Sequence, residues 1–348
     1  MNRLITTIAA AAMTIAVTAA NKPTEGLTYF LPKTAARMQV LVEKTTTTPG
    51  QLANYAKIYF QKDAPTQPSA DYRIVGYKFS TEGRADESKQ FAVSVDKKHT
   101  VLSVDTDVNG CLLAINTKGD KAAAPTTFTP APQPTPLNPY DYMSQDILSA
   151  GNLPKMAQLV AQEIYDIRDS RNQLSRGEAD FMPKDGEQLR LMYAQLNTQE
   201  TALMQLFLGT TKVDTTEHVV TFVPEPSAKR TVVFRFSKKF GFATADDLSG
   251  EPYYMNIDNE NSIMAAPAVA EEAKKEKDEF QLGVSLPGKI RLTLTADGMN
   301  KTYFETYAAQ FGKVEMLSGA LFGKKLTSKL KLDAATGAVI ELDTEPLE

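Results

Sequence analysis

The stretch from Asn152 to Gly209 constrains this chain more than any other, because it is the one long run of helical pattern among short strand-like runs. Asn152 is placed to cap a helix, and Pro154 falls in the first turn, where a missing N–H costs nothing. Leu153, Met156, Val160, Ile164, Ile167 and Leu174 then recur at spacings of three, four and seven, the mark of one apolar helix face. Gly177 is a stop in the left-handed region. Asp185, with Gln188 three residues on, has capping-box spacing. Leu189, Met192, Leu196, Leu203 and Leu206 form a second stripe, broken at Gln199 and ended by Gly209. Either helix alone leaves a leucine stripe in water. The pattern therefore predicts two helices of roughly 35 Å each, packed as an antiparallel hairpin with Ile164 and Leu196 in one core. Apolar helix stripes are usually core, so the pair is expected to act as a spacer between two smaller units.

The flanks read as β. Leu27 to Leu31 predicts a short strand ended by Pro32, and Arg37 to Thr45 alternates. Leu52, Tyr55, Ile58 and Tyr59 give one short amphipathic helix, and Tyr72–Ser80, Phe91–Asp96 and Thr100–Asp105 are further strands. Asn109-Gly110 between apolar runs is a hairpin signal, since both residues tolerate positive φ. Six prolines between Pro125 and Pro139 favour extended polyproline geometry. After Gly209, strands are expected over Val213–Val223, around Val232–Phe236, at Tyr253–Ile257 and through most of the remainder. The run through Tyr303, Tyr307 and Phe311 is assigned to strand on its Thr, Tyr and Phe content. The nearly all-charged run Glu271–Glu279 reads as a solvated loop.

The expected fold class is α+β: two antiparallel β-rich domains flanking a long antiparallel helical hairpin. The boundaries are a signal peptide at 1–20, an N-terminal β domain with one short helix at 21–117, and a Pro-rich linker at 118–140. The helical hairpin follows at 141–209, then a C-terminal β domain at 210–348 with a charged loop at 259–279. The two β halves echo each other. Each opens on a Leu-Pro step, Leu31-Pro32 and Leu286-Pro287, and each closes on an acidic-then-glycine hairpin, Asp105–Gly110 and Asp333–Gly337. An internal duplication and the reuse of common turn chemistry both account for the echo.

Arg3, the apolar run Leu4–Ala20 and the small residues Thr18-Ala19-Ala20 read as a secretory leader cut after Ala20. The run is short and threonine-rich for a membrane span. No cysteine follows it for lipidation, and no other stretch approaches a transmembrane helix. The expected location is thus exported, periplasmic or envelope-associated, and not lipidated. Cys111 is the single cysteine, so ordinary cores must hold the chain without an intramolecular disulfide. A formal net charge of −4 offers no electrostatic case for nucleic acid.

Chemistry is sparse. His99 and His218 are the two histidines, and neither sits in an HExxH pattern. No GxSxG elbow and no phosphate-binding glycine loop is present. Asp105-x-Asp107-x-Asn109-Gly110 matches the opening of a calcium loop, but its twelfth position is Asn116 rather than Glu, and a hairpin accounts for the same residues. Cys111 lies in an apolar run and reads as a small buried hydrophobe. Arg168, Arg171 and Arg176 with Asp166 and Asp169 form a charged patch, read as helix–sheet ion pairing, with an anion site as the sharper alternative. Carboxylate pairs for glycoside hydrolysis cannot be selected from spacing. The chain has no Trp, the strongest sugar-stacking residue; Tyr253 and Tyr254 remain as stacking candidates. No catalytic, cofactor-binding or metal-binding residue is assigned.

Leu27-Thr28-Tyr29-Phe30-Leu31-Pro32-Lys33, Arg168-Asp169-Ser170-Arg171, Met182-Pro183-Lys184-Asp185-Gly186, Ala309-Gln310-Phe311-Gly312 and Asp333-Ala334-Ala335-Thr336-Gly337 carry a resemblance. On these the chain resembles a domain-of-unknown-function family of exported proteins from Gram-negative anaerobes. The resemblance covers most of the chain beyond the leader, although some members look lipidated and this one lacks the cysteine. It implies no activity and no catalytic residues. The function expected is a non-enzymatic envelope binding or scaffold protein, with an envelope protein or a glycan as partner. The alternative is a carboxylate-dependent hydrolase acting on envelope glycans.

Overall fold

A single long strand, β1 (Leu27–Thr48), runs through the protein and supplies residues to two of the cores described below. The computed structural model describes residues 27–93, 99–122, 124–264 and 281–346. After β1 come α1 (Ala56–Phe60), β2 (Ser69–Val93), β3 (Val104–Thr106), β4 (Leu112–Ile115), α2 (Gln145–Leu148), α3 (Leu153–Arg176) and α4 (Gly186–Leu208). Then follow β5 (Thr210–Phe222), β6 (Arg230–Ser237), β7 (Gly241–Ala243), β8 (Glu251–Ile263), β9 (Gln281–Thr295), β10 (Thr302–Ser318), β11 (Leu326–Leu332) and β12 (Val339–Pro346). The leader at 1–20 and most of the charged loop at 259–279 lie outside the described residues.

The α+β expectation of two β domains flanking a long helical hairpin is overturned. Among the described residues the protein is mostly β, 47% strand against 23% helix, and three sheets carry the architecture. The sheets take strands from both sides of the helical segment: β1 pairs with β2 and also with β5, and β4 pairs with β11. Helix periodicity is visible within a dozen residues, whereas strand pairing joins distant residues and leaves no local mark. The helices therefore dominate the sequence pattern without organising the fold.

The strands are also longer than their sequence pattern predicts. Pro32 does not end the first strand. It sits at a register slip between Phe30 and Pro32, where the ladder is interrupted and the missing N–H is tolerated. Tyr72–Ser80 and Phe91–Val93 belong to one strand, β2. A second slip leaves Val75 unpaired, since Leu41 faces Gly76 and Val42 faces Ile74. Such a bulge flips the facing of the residues beyond it, so Tyr72, Ile74, Tyr77 and Phe79 all join the same core. Simple alternation hides that grouping.

Sheet β2-β1-β5 and sheet β10-β9-β8-β6-β7 pack face to face. Met38, Val40 and Val42 meet Phe234, Met255, Ile290, Leu292 and Leu294 between them. A second core lies under sheet β12-β11-β4-β3, covered by Tyr29 and Leu31 of β1 and by Leu282 and Val284 of β9. The long strands serve both cores because they are interrupted midway. In the β9–β10 ladder the register slips between Ala308 and Lys313. There the backbones approach so closely that a Cβ on Gly312 would overlap the Leu286 carbonyl and one on Gly288 the Phe311 carbonyl.

The two halves place their echoing motifs in the same way. Phe30 N–H donates to the Gly110 carbonyl at 2.9 Å, and Ser285 N–H donates to the Gly337 carbonyl at 3.0 Å. Each donor stands two residues before the proline of its Leu-Pro step, and each acceptor is the positive-φ glycine of its hairpin, at φ 79° and 70°. The two echoes therefore share a long-range backbone bond as well as their residues.

The third core is helical. Asn152 accepts from Lys155 N and caps α3, Gly177 ends it at φ 74°, and Asp185 accepts from Gln188 N at the start of α4. Ile164 and Leu203 are fully buried with Leu52, Ala56, Ile147 and Phe207, and Leu196 packs against this cluster half-buried. The layer joins the sheets where α4 meets the segment after β1: Leu52 N–H donates to the Leu206 carbonyl at 2.7 Å.

Candidate functional site

A hollow of about 1210 Å³ opens at one end of the sandwich. Its walls come from β2 (Tyr72, Arg73, Tyr77), the turn after β6 (Lys238), the start of β8 (Glu251, Tyr253) and the β9–β10 turn (Asp297, Asn300). The Val75 bulge is what brings Tyr77 to the same face as Tyr72. The β9–β10 turn is tight: Met299 N–H donates to the Ala296 carbonyl at 3.2 Å and Gly298 takes φ 70°.

The floor is aromatic. Tyr253 stacks on Phe234 with ring centroids 4.4 Å apart and meets Phe236 edge-on at 6.4 Å. Behind it the rings continue as a ladder. Phe234 stacks on Phe242 at 5.1 Å, and Phe242 stacks on His218 at 4.4 Å. Tyr77 lies beside Tyr253, and its Oη is 3.6 Å from Met299 Sδ. Burial pushes both phenols above their ordinary range, so at neutral pH they are uncharged hydrogen-bonding groups. Burial likewise holds the His218 imidazole below its usual value, which keeps the far end of the ladder neutral.

Charge on the walls balances. Arg73 and Lys238 stand against Glu251 and Asp297, and Arg73 is already held by Glu43 at 2.7 Å. The free edge of β2 is engaged here too, since Tyr72 N–H donates to the Lys238 carbonyl at 2.8 Å. Polar groups thus ring a semi-apolar floor, the usual build of a ligand cleft.

The residues singled out in the sequence fall elsewhere, apart from Tyr253 at the cleft and His218 on the ladder behind it. Tyr254 turns away and packs under Arg230, whose guanidinium carbon is 3.7 Å from the ring centroid. His99 forms a bridge with Gly323 at the edge of the second core. Cys111 is buried, and burial together with Asp107 pushes its thiol up to about 12. Asp105 and Asp107 turn onto backbone: Asp105 accepts from Gly119 N at 2.9 Å, and Asp107 accepts from Asn109 N and Cys111 N at 2.8 Å each. Among the described residues no group of three or more His, Cys, Asp or Glu side chains is placed to hold a metal ion. The arginine patch pairs with a helix rather than a sheet, as Arg168 and Arg171 both reach Glu200 at 2.7 Å.

Sequence reasoning missed Tyr72, Tyr77, Glu251, Asp297 and Asn300. The Asp297-Gly298 pair is readable as a turn, but nothing local says that this turn faces β2 across a hollow.

Residues 25–340 match the model of a family described as a domain of unknown function, DUF4831. No curated protein and no solved structure gave a match.

Proposed function

The chain belongs to the DUF4831 family, and we propose that it is an exported, non-enzymatic binding or scaffold protein of the cell envelope that takes its ligand in the cleft between β2 and the β9–β10 turn. One observation carries the reading. Tyr72, Tyr77, Tyr253 and Phe236 converge on a single open cleft whose walls are fixed by two packed sheets, and rigid aromatic anchors with a polar rim are what recognition sites are built from. Export rests on the leader-like run before Asn21. Among the described residues no helix is long and apolar enough to cross a membrane.

Co-sedimentation of the purified protein with isolated envelope fractions tests the binding reading. Wild type is expected to pellet with its ligand, and Asp297→Ala combined with Asn300→Ala is expected to stay in solution. Equal pelleting of both would move binding away from the cleft. N-terminal sequencing of the exported form is expected to begin at Asn21; retention of Met1 in a membrane fraction counts against export.

A second reading has its own observation: Glu251 and Asp297, from separate elements, both line the cleft, and glycoside hydrolysis uses two carboxyl groups. Release of new reducing ends from envelope glycans, abolished by Glu251→Gln, would replace binding with hydrolysis.

A further inference from the structure

We propose that the cleft takes an uncharged glycan several sugar units long, an inference that rests on the binding reading above and adds the ligand class to it. Size is the first argument. At about 1210 Å³ the hollow exceeds the roughly 300–1,000 Å³ of most small-molecule pockets, so it suits an extended chain better than one compact molecule.

Charge is the second. The walls carry two cations and two carboxylates, and Glu43 already neutralises Arg73. With that pair set aside, Lys238 faces Glu251 and Asp297, a lining with no positive field to draw in a polyanion.

Shape chemistry is the third. A pyranose has an apolar C–H face and a ring of hydroxyls. Tyr253 is held flat by Phe234 behind it, which leaves a pre-ordered aromatic surface toward the cleft, the kind of rigid ring that contributes contact at little entropic cost. Asp297, Asn300 and Glu251 on the rim supply paired donors and acceptors for neighbouring hydroxyls.

A peptide fits less well. Adding a strand requires an unpaired backbone edge, and the β2 edge at the cleft is already bonded from Tyr72 to Lys238. A helix docking by an apolar face would set its side chains against the half-buried tyrosines and the charged rim.

Calorimetry with the whole protein tests this, using uncharged gluco- and N-acetylglucosamine oligosaccharides of increasing length beside a polyuronate oligomer and an unrelated peptide set. Affinity for at least one uncharged series is expected to rise with length and to change little with added salt. Tyr253→Ala is expected to weaken it roughly tenfold, and Tyr253→Phe to keep most of it. Because Tyr253 also packs on Phe234, the exposed turn variant Asn300→Ala is run in parallel and should weaken binding without lowering the melting temperature. Binding of the polyuronate or a peptide instead, still lost in these variants, would overturn the glycan inference and leave the cleft as a binding site. Binding that ignores both variants would overturn the cleft reading as well. No heat from any uncharged series at millimolar concentration overturns the inference.

Discussion

Replacing Ile164 by Ala tests how the helical layer is held. Ile164 has no exposed surface and sits among Leu52, Ile147, Leu203 and Phe207. The change removes three carbon groups, worth about 2.4 kcal/mol at roughly 0.8 kcal/mol per buried group. The closed cavity left behind brings the expected loss to about 3–4 kcal/mol. Leu196 offers an internal comparison. It packs against the same cluster but is only half-buried, and it borders an open groove of about 330 Å³ with Leu174, Phe181 and Met192. Truncation there widens a solvated groove and leaves no sealed void, so about 1 kcal/mol is expected. Gln199→Ala on the groove rim should change little. Urea unfolding of the three variants, followed by far-ultraviolet circular dichroism, gives the order. A loss at Leu196 equal to or larger than that at Ile164 would refute the reasoning, and so would Ile164→Ala within about 1 kcal/mol of wild type.

Three further outcomes rest on particular contacts. Cys111 is buried with its thiol pushed up to about 12, so a thiol reagent at pH 8 should label it only after denaturation; fast labelling of the native protein would contradict its burial. Gly312→Ala forces a Cβ onto the Leu286 carbonyl and should abolish soluble expression or lower the melting temperature sharply, whereas Gly151→Ala, with nothing near it, should not. Glu217 accepts from Phe128 N and from Gln39 Nε2, both at 2.6 Å, and so ties the Pro-rich segment to the outer face of β1 and β5. Its carboxyl is held below the usual value, chiefly by the Phe128 backbone N–H. A lowered folded-state pKa means that the tie is fully present above the ordinary glutamate range and is lost as pH falls through the lowered value. Limited proteolysis within residues 129–136 should therefore rise in Glu217→Ala at neutral pH, and in wild type only in acid; cleavage unchanged by the substitution would show that the tie does not hold the segment.

What the residues alone disclose is local chemistry. Asn152, Gly177 and Asp185 mark helix ends because a cap acts within one turn of itself, and Tyr303, Tyr307 and Phe311 read as strand by side-chain type. The overall class escapes such a reading because the decisive facts are pairings such as Val40 with His218 and Leu330 with Ile115, which no spacing encodes. The candidate site is less legible still. Tyr77 shares a face with Tyr72 only through the bulge at Val75, and Asp297 reaches the cleft only because β8 and β9 place its turn opposite β2. The Leu-Pro and Asp-to-Gly echoes are visible as residues, but their common meaning lies in two backbone bonds, Phe30 to Gly110 and Ser285 to Gly337.

The path of β1 sets the order in which this protein can be assembled. Synthesis delivers β1 early, but its second ladder partner, β5, arrives only after the Pro-rich segment and helices α1 to α4, and the covering strands β9 and β10 come later still. Until then one edge of a 22-residue strand stands bare, alternating Met38, Val40 and Val42 toward water, the kind of surface that recruits other chains. An N-terminal fragment ending anywhere before Phe222 should thus aggregate rather than fold. A break within the exposed residues 129–136 severs no ladder, so two pieces cut there and synthesised together should find each other and rebuild the sheet.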